Sequence, residues 1–314
     1  MQAYYIPDAL ANYTINGTTY IVTANEGDEK EYGSFTERTT VGASTYNLDT
    51  FIFPQASILK LNHNLGRFRV TNINGNLDAD TAYESVFCLG SRSFSIFNTN
   101  TKQIVFDSGD DFERYTATQY PSLFNSDHES NSLKNRSRAK GPEPEGITLA
   151  NIGGQTFAFI SLERVGGVMV YNITDPDNVT FVDYKNSRST SAYGGDNGPE
   201  GITYISATNS PTGIPYILIA NEISGTITIF EVATNTLDVP NFTSQEATFN
   251  LFPNPTESNG VVYFNRPSDI QIFDFTGKLI LEEKNALTIN TKNWAKGIYL
   301  VKNSKKQIQK LIIK

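Results

Sequence analysis

Acidic residues recur at matching positions in three stretches of the chain. The phrase "GPEPEGI" at Gly141–Ile147 returns as "NGPEGI" at Asn197–Ile202, and the start of the chain has a similar "PDAL". The first acids of the three stretches are Asp8, Glu145 and Glu200, and the second acids are Glu26, Glu163 and Glu222. Carboxylates that gather at one place can bind a hard cation such as Ca²⁺, which takes about six to eight oxygen ligands.

The strand pattern places both acids of a stretch at the same end of its repeat. Each first acid precedes a short alternating strand, and each second acid ends the next strand. Because neighbouring strands of a hairpin are antiparallel, the start of one lies beside the end of the other. If the first strands lie innermost, acids of several repeats converge. They would bind a cation, or hold a carboxyl group protonated through a raised pKa. Alternatively, they accept backbone hydrogen bonds and brace the repeats, a role that repetition favours.

A second acidic segment, "DSGDDFE", offers Asp110, Asp111 and Glu113 as weaker metal ligands. It lacks the glycine-punctuated spacing of an EF-hand loop. His63 and His128 are the two histidines of the chain. A Ser-His-Asp arrangement through His128 has no G-x-S-x-G motif to mark its serine. The chain also has no P-loop, no dinucleotide fingerprint and no HExxH. Catalytic residues therefore stay unassigned.

The elements that must position these acids are short strands. After each repeated phrase come three alternating strands, with glycines between the second and the third that predict a hairpin turn. A degenerate fourth copy covers 84–109. Repeated units of this kind predict an all-β fold, a β-propeller of about four blades, with a β-sandwich as the alternative. Two long polar segments, Gly27–Gln55 and Asp107–Lys140, are predicted as rim loops. Cys88, the single cysteine, is predicted to be a buried free thiol.

Composition changes along the chain and divides it into parts. The net charge is −8, and the region before Phe249 is acidic whereas the region after it is basic. An acidic body disfavours nucleic acid or an anionic membrane as a partner. We expect a propeller at 1–233, a linker at 234–248 and a small β-sandwich at 249–314. No apolar run is long enough to span a membrane, and no signal peptide is visible at the start. We therefore expect an N-terminally incomplete, open propeller.

The last segment resembles the type A C-terminal sorting domain of the type IX secretion system of Bacteroidetes. The resemblance rests on "LFPNP" at Leu251–Pro255, "IFDFTGKLI" at Ile272–Ile280, "GIYLVK" at Gly297–Lys302 and "KLIIK" at Lys310–Lys314. It implies export across the outer membrane by the type IX machinery, cleavage of the tail and attachment to the cell surface. The residues that would carry the sorting signal are Pro253, Asn254, Pro255, Gly277, Gly297 and Lys314.

The preceding part resembles the choice-of-anchor I family. The matching stretches include "VTANEGDEKEY" at Val22–Tyr32, "VFDSGDDFE" at Val105–Glu113, "AKGPEPEGI" at Ala139–Ile147 and "LIANEISGTITIFEV" at Leu218–Val232. The resemblance implies a β-propeller on the cell surface and carries no settled catalytic residues. The segment Asn74–Ser85 departs from relatives, which are richer there in aspartate and glycine.

These observations predict a secreted cell-surface β-propeller that acts as a binding or interaction module for an unknown extracellular ligand. Calcium is the one cofactor that the acids suggest. The alternative is an extracellular calcium-dependent phosphoesterase, similar to an alkaline phosphatase. A third hypothesis is a structural protein of the cell envelope without a small ligand. Fold alone does not decide among these functions.

Overall fold

A computed structural model describes residues 1–78, 80–233, 249–304 and 307–314. The chain divides into two compact units, Met1–Leu237 and Asp238–Lys314. We call the first unit the body and the second the tail unit. The predicted linker, 234–248, lies outside the described residues.

The regular secondary structure of the body, within its described residues, consists mainly of short β-strands. In chain order these are β1 (Gln2–Ala3), β2 (Ala9–Ile15), β3 (Thr18–Asn25), β4 (Glu31–Tyr32), β5 (Phe35–Thr36), β6 (Arg38–Thr40), β7 (Asn47–Leu48), β8 (Arg69–Thr71), β9 (Ala82–Tyr83), β10 (Phe87–Cys88), β11 (Ser93–Asn98), β12 (Gln103–Asp107), β13 (Pro144–Ile152), β14 (Gln155–Leu162), β15 (Val168–Asn172), β16 (Thr180–Lys185), β17 (Pro199–Ile205), β18 (Tyr216–Asn221) and β19 (Thr226–Glu231). The helices are α1 (Ala56–Leu59), α2 (Asp111–Gln119) and a 3₁₀ turn at Pro121–Leu123.

Three sheets carry the repeated phrases. Their strand orders are β12-β11-β3-β2, β13-β14-β15-β16 and β17-β18-β19, and neighbouring strands within each are antiparallel. The predicted fourth repeat does not form a sheet of its own. Instead, β11 pairs with β3 and β12 pairs with β11, so these two strands complete the first sheet. The sequence missed this because pairing with β3 joins segments about 70 residues apart, and local alternation carries no sign of such a partner.

The middle sheet is covered on both faces. Along β14, Ala158, Ile160 and Leu162 pack in a core shared with the first sheet and α2, whereas Phe157 and Phe159 pack in a core shared with the third sheet. Successive side chains of a strand point to opposite faces, so an apolar run without polar interruption belongs to a strand with two buried faces. The first strand of this sheet, β13, contacts both β2 and β17.

The long polar segments contain ordered structure. Asp107–Lys140, predicted as a rim loop, forms α2 and the 3₁₀ turn, with Phe112 and Leu123 fully buried. The segment that begins at Gly27 contributes β6 to a fourth sheet of order β1-β10-β8-β6, and β4 pairs with β5 while β7 pairs with β9. Cys88 is buried and free, as predicted, and burial raises the pKa of its thiol.

The tail unit is a single curled sheet rather than the predicted two-sheet sandwich. Its strands are β20 (Leu251–Phe252), β21 (Val261–Asp274), β22 (Leu279–Asn290), β23 (Gly297–Asn303) and β24 (Ile308–Ile313). The long β21 pairs with β20, β22 and β23, so one strand serves both halves of the sheet. One apolar face forms a core of its own.

The residues of the predicted sorting signal lie at the ends of this sheet. The Asn254 side chain accepts a hydrogen bond from the Ile312 N–H at 2.9 Å and donates one to the Lys310 carbonyl at 2.6 Å. The Lys314 N–H donates to Thr256 next to Pro255. Gly277, in the turn between β21 and β22, has a φ of 85°, and Gly297, the first residue of β23, has a φ of 154°. The amide of the "PNP" motif thus holds the last strand in register.

Candidate functional site

A β-bulge places the first acid of two repeats. The register of β13 against β14 shifts between Pro144 and Ile147, and that of β17 against β18 shifts between Pro199 and Gly201. Glu145 and Glu200 lie inside these irregular steps. A bulge turns a side chain away from the regular alternation and is frequent next to functional sites.

The residue before each proline has an unusual backbone conformation. Ile6, Glu143 and Gly198 precede the three prolines, and their φ values are 38°, 54° and 70°. Their carbonyl groups accept hydrogen bonds from Gly27 at 3.1 Å, from Glu163 at 2.8 Å and from Glu222 at 2.8 Å. Each bend therefore ties the beginning of the first strand to the end of the second, which brings both acids of a repeat to one end of the body.

The acids of the three repeats converge as the strand pattern predicts. We call Asp8, Glu26, Glu145, Glu163, Glu200 and Glu222 the acid cluster. Carboxylate oxygens of Asp8, Glu26 and Glu145 lie within 4.8 Å of one another. Two further groups with the same spacing extend the cluster sideways, one formed by Glu26, Glu143 and Glu163 and the other by His128, Glu163 and Glu222.

Glu145 is the central residue of the acid cluster. It is 6% exposed, and its Oε2 has no hydrogen-bond partner among the described residues. Burial, together with the charges of Glu26, Asp8, Glu163 and Glu200, raises the pKa of Glu145 to about 9. A buried carboxyl group without a partner is costly unless a proton or a cation neutralises it.

Glu143, one residue before the bulge, has the opposite environment. It is fully buried and binds Arg136 (Nε at 3.0 Å), Arg164 (Nε at 3.0 Å) and Lys140 (Nζ at 3.1 Å). Burial alone would raise the pKa of Glu143, but Lys140, Arg136 and Arg164 outweigh it and lower the pKa to about 2. Lys140 also binds Glu26, whose pKa burial raises to about 7 against the effect of that lysine.

His128 lies at the edge of the acid cluster. Its Nδ1 is 2.8 Å from Glu163 Oε1, and Arg164 Nη1 is 2.6 Å from its Nε2. The same Arg164 nitrogen is also 2.8 Å from Nδ1, so the ring lies between the guanidinium and the carboxylate. His128 therefore orients Glu163, and Arg164 offsets the charge of that carboxylate from 3.2 Å.

The hypothesis that the acids brace the backbone is not supported by their contacts. In the described ranges, no backbone N–H donates to a side chain of the acid cluster. Glu26 and Glu163 contact cationic or imidazole side chains instead. Backbone hydrogen bonds hold the strand corners, so the corners do not depend on these carboxylates.

The other predicted acids are separated from this cluster. Asp110 precedes α2, Asp111 pairs with Arg114, and Glu113 Oε1 is 2.8 Å from Arg92 Nη1. Within the described residues these three acids do not form a group with ligand spacing. By contrast, Asp78, Asp80 and Glu84 do form a group with ligand spacing. They lie in the segment Asn74–Ser85, which departs from the family pattern, and Asp78 and Asp80 are exposed.

Sequence reasoning missed Glu143 and its partners Arg136 and Lys140. A sequence signal for Glu143 was available: the two repeated phrases differ at this position, where the second phrase has Gly198. A non-glycine residue at positive φ is uncommon and calls for an explanation. Here the bend points a fully buried carboxylate at three cations whose positions depend on separate segments of the chain.

Comparison with known proteins assigns both units of the chain. The sequence profile of the Choice-of-anchor I domain matches residues 1–176, which is more than half of the chain. This chain belongs to the choice-of-anchor I family. The profile of the Secretion system C-terminal sorting domain matches residues 250–314. The second match supports export by type IX secretion, which implies interaction with that machinery, and the choice-of-anchor match indicates a cell-surface protein.

Two curated proteins are similar to parts of this choice-of-anchor I protein. Gigasin-3a of Magallana gigas is 34% identical over 113 residues, which cover 34% of this chain and 39% of gigasin-3a. The mesenchyme-specific cell surface glycoprotein of Strongylocentrotus purpuratus is 24% identical over 216 residues, which cover 58% of this chain and 27% of the glycoprotein. The chain thus spans well under half the length of either relative.

Solved structures resemble the chain only distantly. PorZ, a bacterial surface component of the type IX secretion system of Porphyromonas gingivalis, has 10% identity and a TM-score of 0.19, with 96% of this chain and 51% of PorZ covered. A protein of unknown function from Desulfotomaculum acetoxidans has 13% identity and a TM-score of 0.17, with 71% of each chain covered. TM-scores this low do not indicate a shared fold. No helix in the described ranges combines the length and apolar character needed to cross a bilayer.

Proposed function

We propose that this choice-of-anchor I protein is a secreted cell-surface binding module whose acid cluster takes up a calcium ion. The observation that carries the proposal is the buried, unpartnered carboxyl group of Glu145, with oxygens of Asp8 and Glu26 close to it. Oxygen-only ligands suit Ca²⁺, a hard cation with flexible coordination. Two of these acids, Asp8 and Glu145, belong to different sheets, so the ion would join them.

The fold that fits this function is a β-propeller, of which the three repeat sheets would be blades. Two features support it: β13 contacts β2 and β17, and each of these is the first strand of its sheet. In a propeller the first strands line a central channel, and loops at one end of the channel form the ligand site. The acid cluster lies at that end of the first strands.

Calcium titration of the whole chain tests the proposal. We expect isothermal titration calorimetry to detect one site, and thermal unfolding to shift upward by an amount equivalent to about 2.7 kcal/mol at a hundredfold excess of calcium over Kd. Glu145→Gln should remove most of both signals. Glu231→Gln is the matched control, because Glu231 is exposed and ends β19 at the opposite end of its sheet.

The same titration can contradict the proposal. If calcium neither binds nor shifts the melting temperature of the wild-type chain, the acid cluster is neutralised by protons alone and the calcium proposal fails. A release of p-nitrophenol from p-nitrophenyl phosphate that requires calcium would favour the alternative function, a phosphoesterase, over a binding module.

A further inference from the structure

A cavity of about 230 Å³ lies on the cationic side of the acid cluster. Its polar lining consists of Arg38, Arg69, Arg136, Lys140 and Arg164, together with Asp28 and Glu29. Three of these cations already bind Glu143, and Arg38 pairs with Glu29. The cavity therefore has its own ligand chemistry, which differs from that of the carboxylates on the other side.

Among the described residues, Arg69 is the cation of this cavity whose guanidinium has no ion-pair partner. It begins β8, and its backbone N–H donates to the Arg138 carbonyl at 2.8 Å, which fixes the residue beside the segment that carries Arg136 and Lys140. Within the described ranges its guanidinium makes no hydrogen bond and no ion pair. Burial, followed by repulsion from Arg38, Arg136 and Arg138, lowers the pKa of Arg69. A guanidinium has five N–H donors, and those of the half-buried Arg69 remain accessible to a ligand in the cavity.

The charge of the lining selects the class of ligand. Five cations and two carboxylates line the cavity, an excess of three positive charges. Glu143 pairs with three of these cations, and Glu26 and Glu163 pair with Lys140 and Arg164 from outside the lining, so the excess is offset there and stays unbalanced around Arg69. A phosphate monoester carries about −1.5 to −2 charges at pH 7, whereas a carboxylate carries only one. Arginine side chains also present forked donors that match the oxygens of a phosphate group.

We propose that this cavity is a binding site for a phosphate group, held by Arg69 with Arg38 and Arg136. The proposal deepens the proposed function by naming the charge class of the ligand, and it rests on that function only in treating the chain as a binding module. The cavity has room for a phosphate group and for part of an attached organic group. Lys140 and Arg164 belong both to the cavity and to the neighbourhood of the acid cluster, so the anion would lie next to the proposed cation.

Calorimetric titration of the whole chain with inorganic phosphate, in chelator and again in calcium, tests this site. We expect saturable binding in chelator, and Arg69→Gln should weaken it at least about tenfold, as loss of charged hydrogen bonds does. Without phosphate, Arg69→Gln should melt no lower than wild type, because it removes an unpaired cation. Arg67→Gln, an exposed arginine two residues earlier, is the matched control and should bind phosphate as wild type does.

The titration conditions separate this proposal from that of the calcium site. Binding of phosphate in chelator supports the cavity even if calcium never binds, whereas binding that requires calcium would overturn it in favour of an anion on the metal. Acetate that competes as well as phosphate would also overturn it, since a single charge would then suffice. Glycerol 2-phosphate that binds more tightly than inorganic phosphate would assign the site to an organic phosphate, and the reverse order would assign it to the free ion.

Discussion

Glu145→Gln should have opposite effects on stability with and without calcium. The pKa of Glu145 rises from its ordinary value of 4.5 to about 9 on folding, because burial and four neighbouring acids disfavour its charge. A carboxyl group with a raised pKa contributes most to stability below about pH 4.5, and this contribution is lost as the pH rises toward 9. Glutamine carries no charge at any pH, so the variant has no such loss.

The size of the effect follows from the same two pKa values. At pH 7 the folded chain must take up a proton that the unfolded chain has released, about 2.5 pH units above 4.5, at about 1.4 kcal/mol per unit. This gives a cost of about 3 kcal/mol. In chelator at pH 7 we therefore expect Glu145→Gln to be up to about 3 kcal/mol more stable than wild type. The two should converge near pH 4.5 and differ most near pH 9.

Urea unfolding between pH 5 and pH 9, in chelator and in excess calcium, measures the effect. In calcium the wild type should regain stability and the variant should not, so the difference narrows by about 2.7 kcal/mol at a hundredfold excess over Kd and their order reverses near a thousandfold excess, where the gain is about 4.1 kcal/mol. The exposed control Glu231→Gln should follow wild type in both series. A variant that is less stable than wild type in chelator throughout this range would refute the reasoning, because it would mean that the Glu145 carboxylate has a favourable partner within the fold.

Three other changes test the surrounding structure. Glu143→Gln should destabilise the body by about 3–5 kcal/mol because three partly buried cations lose their shared, fully buried carboxylate. In the wild type this contribution should disappear only as the pH falls from 4.5 toward about 2, and urea unfolding measures both effects. Gly146→Ala should lower the free energy of unfolding by about 1–3 kcal/mol, because its Cβ would lie 2.7 Å from the Glu200 carbonyl oxygen. Gly201→Ala, whose Cβ would lie 3.7 Å from the nearest atom, should be nearly neutral in the same assay. Deletion of 249–314 should leave the calorimetric transition of the body nearly unchanged, because the body is a compact unit with its own core, and should prevent export in a host with type IX secretion. Surface display of the shortened chain would contradict the sorting assignment.

The sequence predicted the convergence of acids because the repeat transfers geometry from one stretch to another. Once Asp8, Glu145 and Glu200 occupy equivalent positions before equivalent strands, antiparallel pairing places each beside the second acid of its repeat. The contacts of β13 with β2 and β17 then bring the repeats together. Alternation also predicted the strands and the buried thiol of Cys88 correctly, because both depend on local pattern.

What the sequence did not predict depends on partners distant along the chain. The third and fourth strands of the first sheet come from 93–107, and an inserted segment separates them from β3. The cations around Glu143 come from Arg136, Lys140 and Arg164, none of which repeats. Likewise, the unpaired state of Arg69 depends on which acids lie out of its reach. Such pairings leave no periodic trace in a single sequence.

Repetition and chemistry need not compete for the same acids. A repeated acid suggests an architectural role, since a site needs a given group only once. Here the three equivalent acids have different environments, because Asp8 and Glu200 are exposed whereas Glu145, in the sheet with neighbours on both faces, is buried. The repeat brings the carboxylates to one end of the body. Which carboxylate is buried depends on its sheet, and the middle sheet, which has neighbours on both faces, buries Glu145. The fold thus places Glu145, whose pKa is raised to about 9, beside other carboxylates such as Glu26, whose pKa is raised to about 7, and strongly shifted carboxyl groups of this kind are typical of sites that bind a cation or a proton.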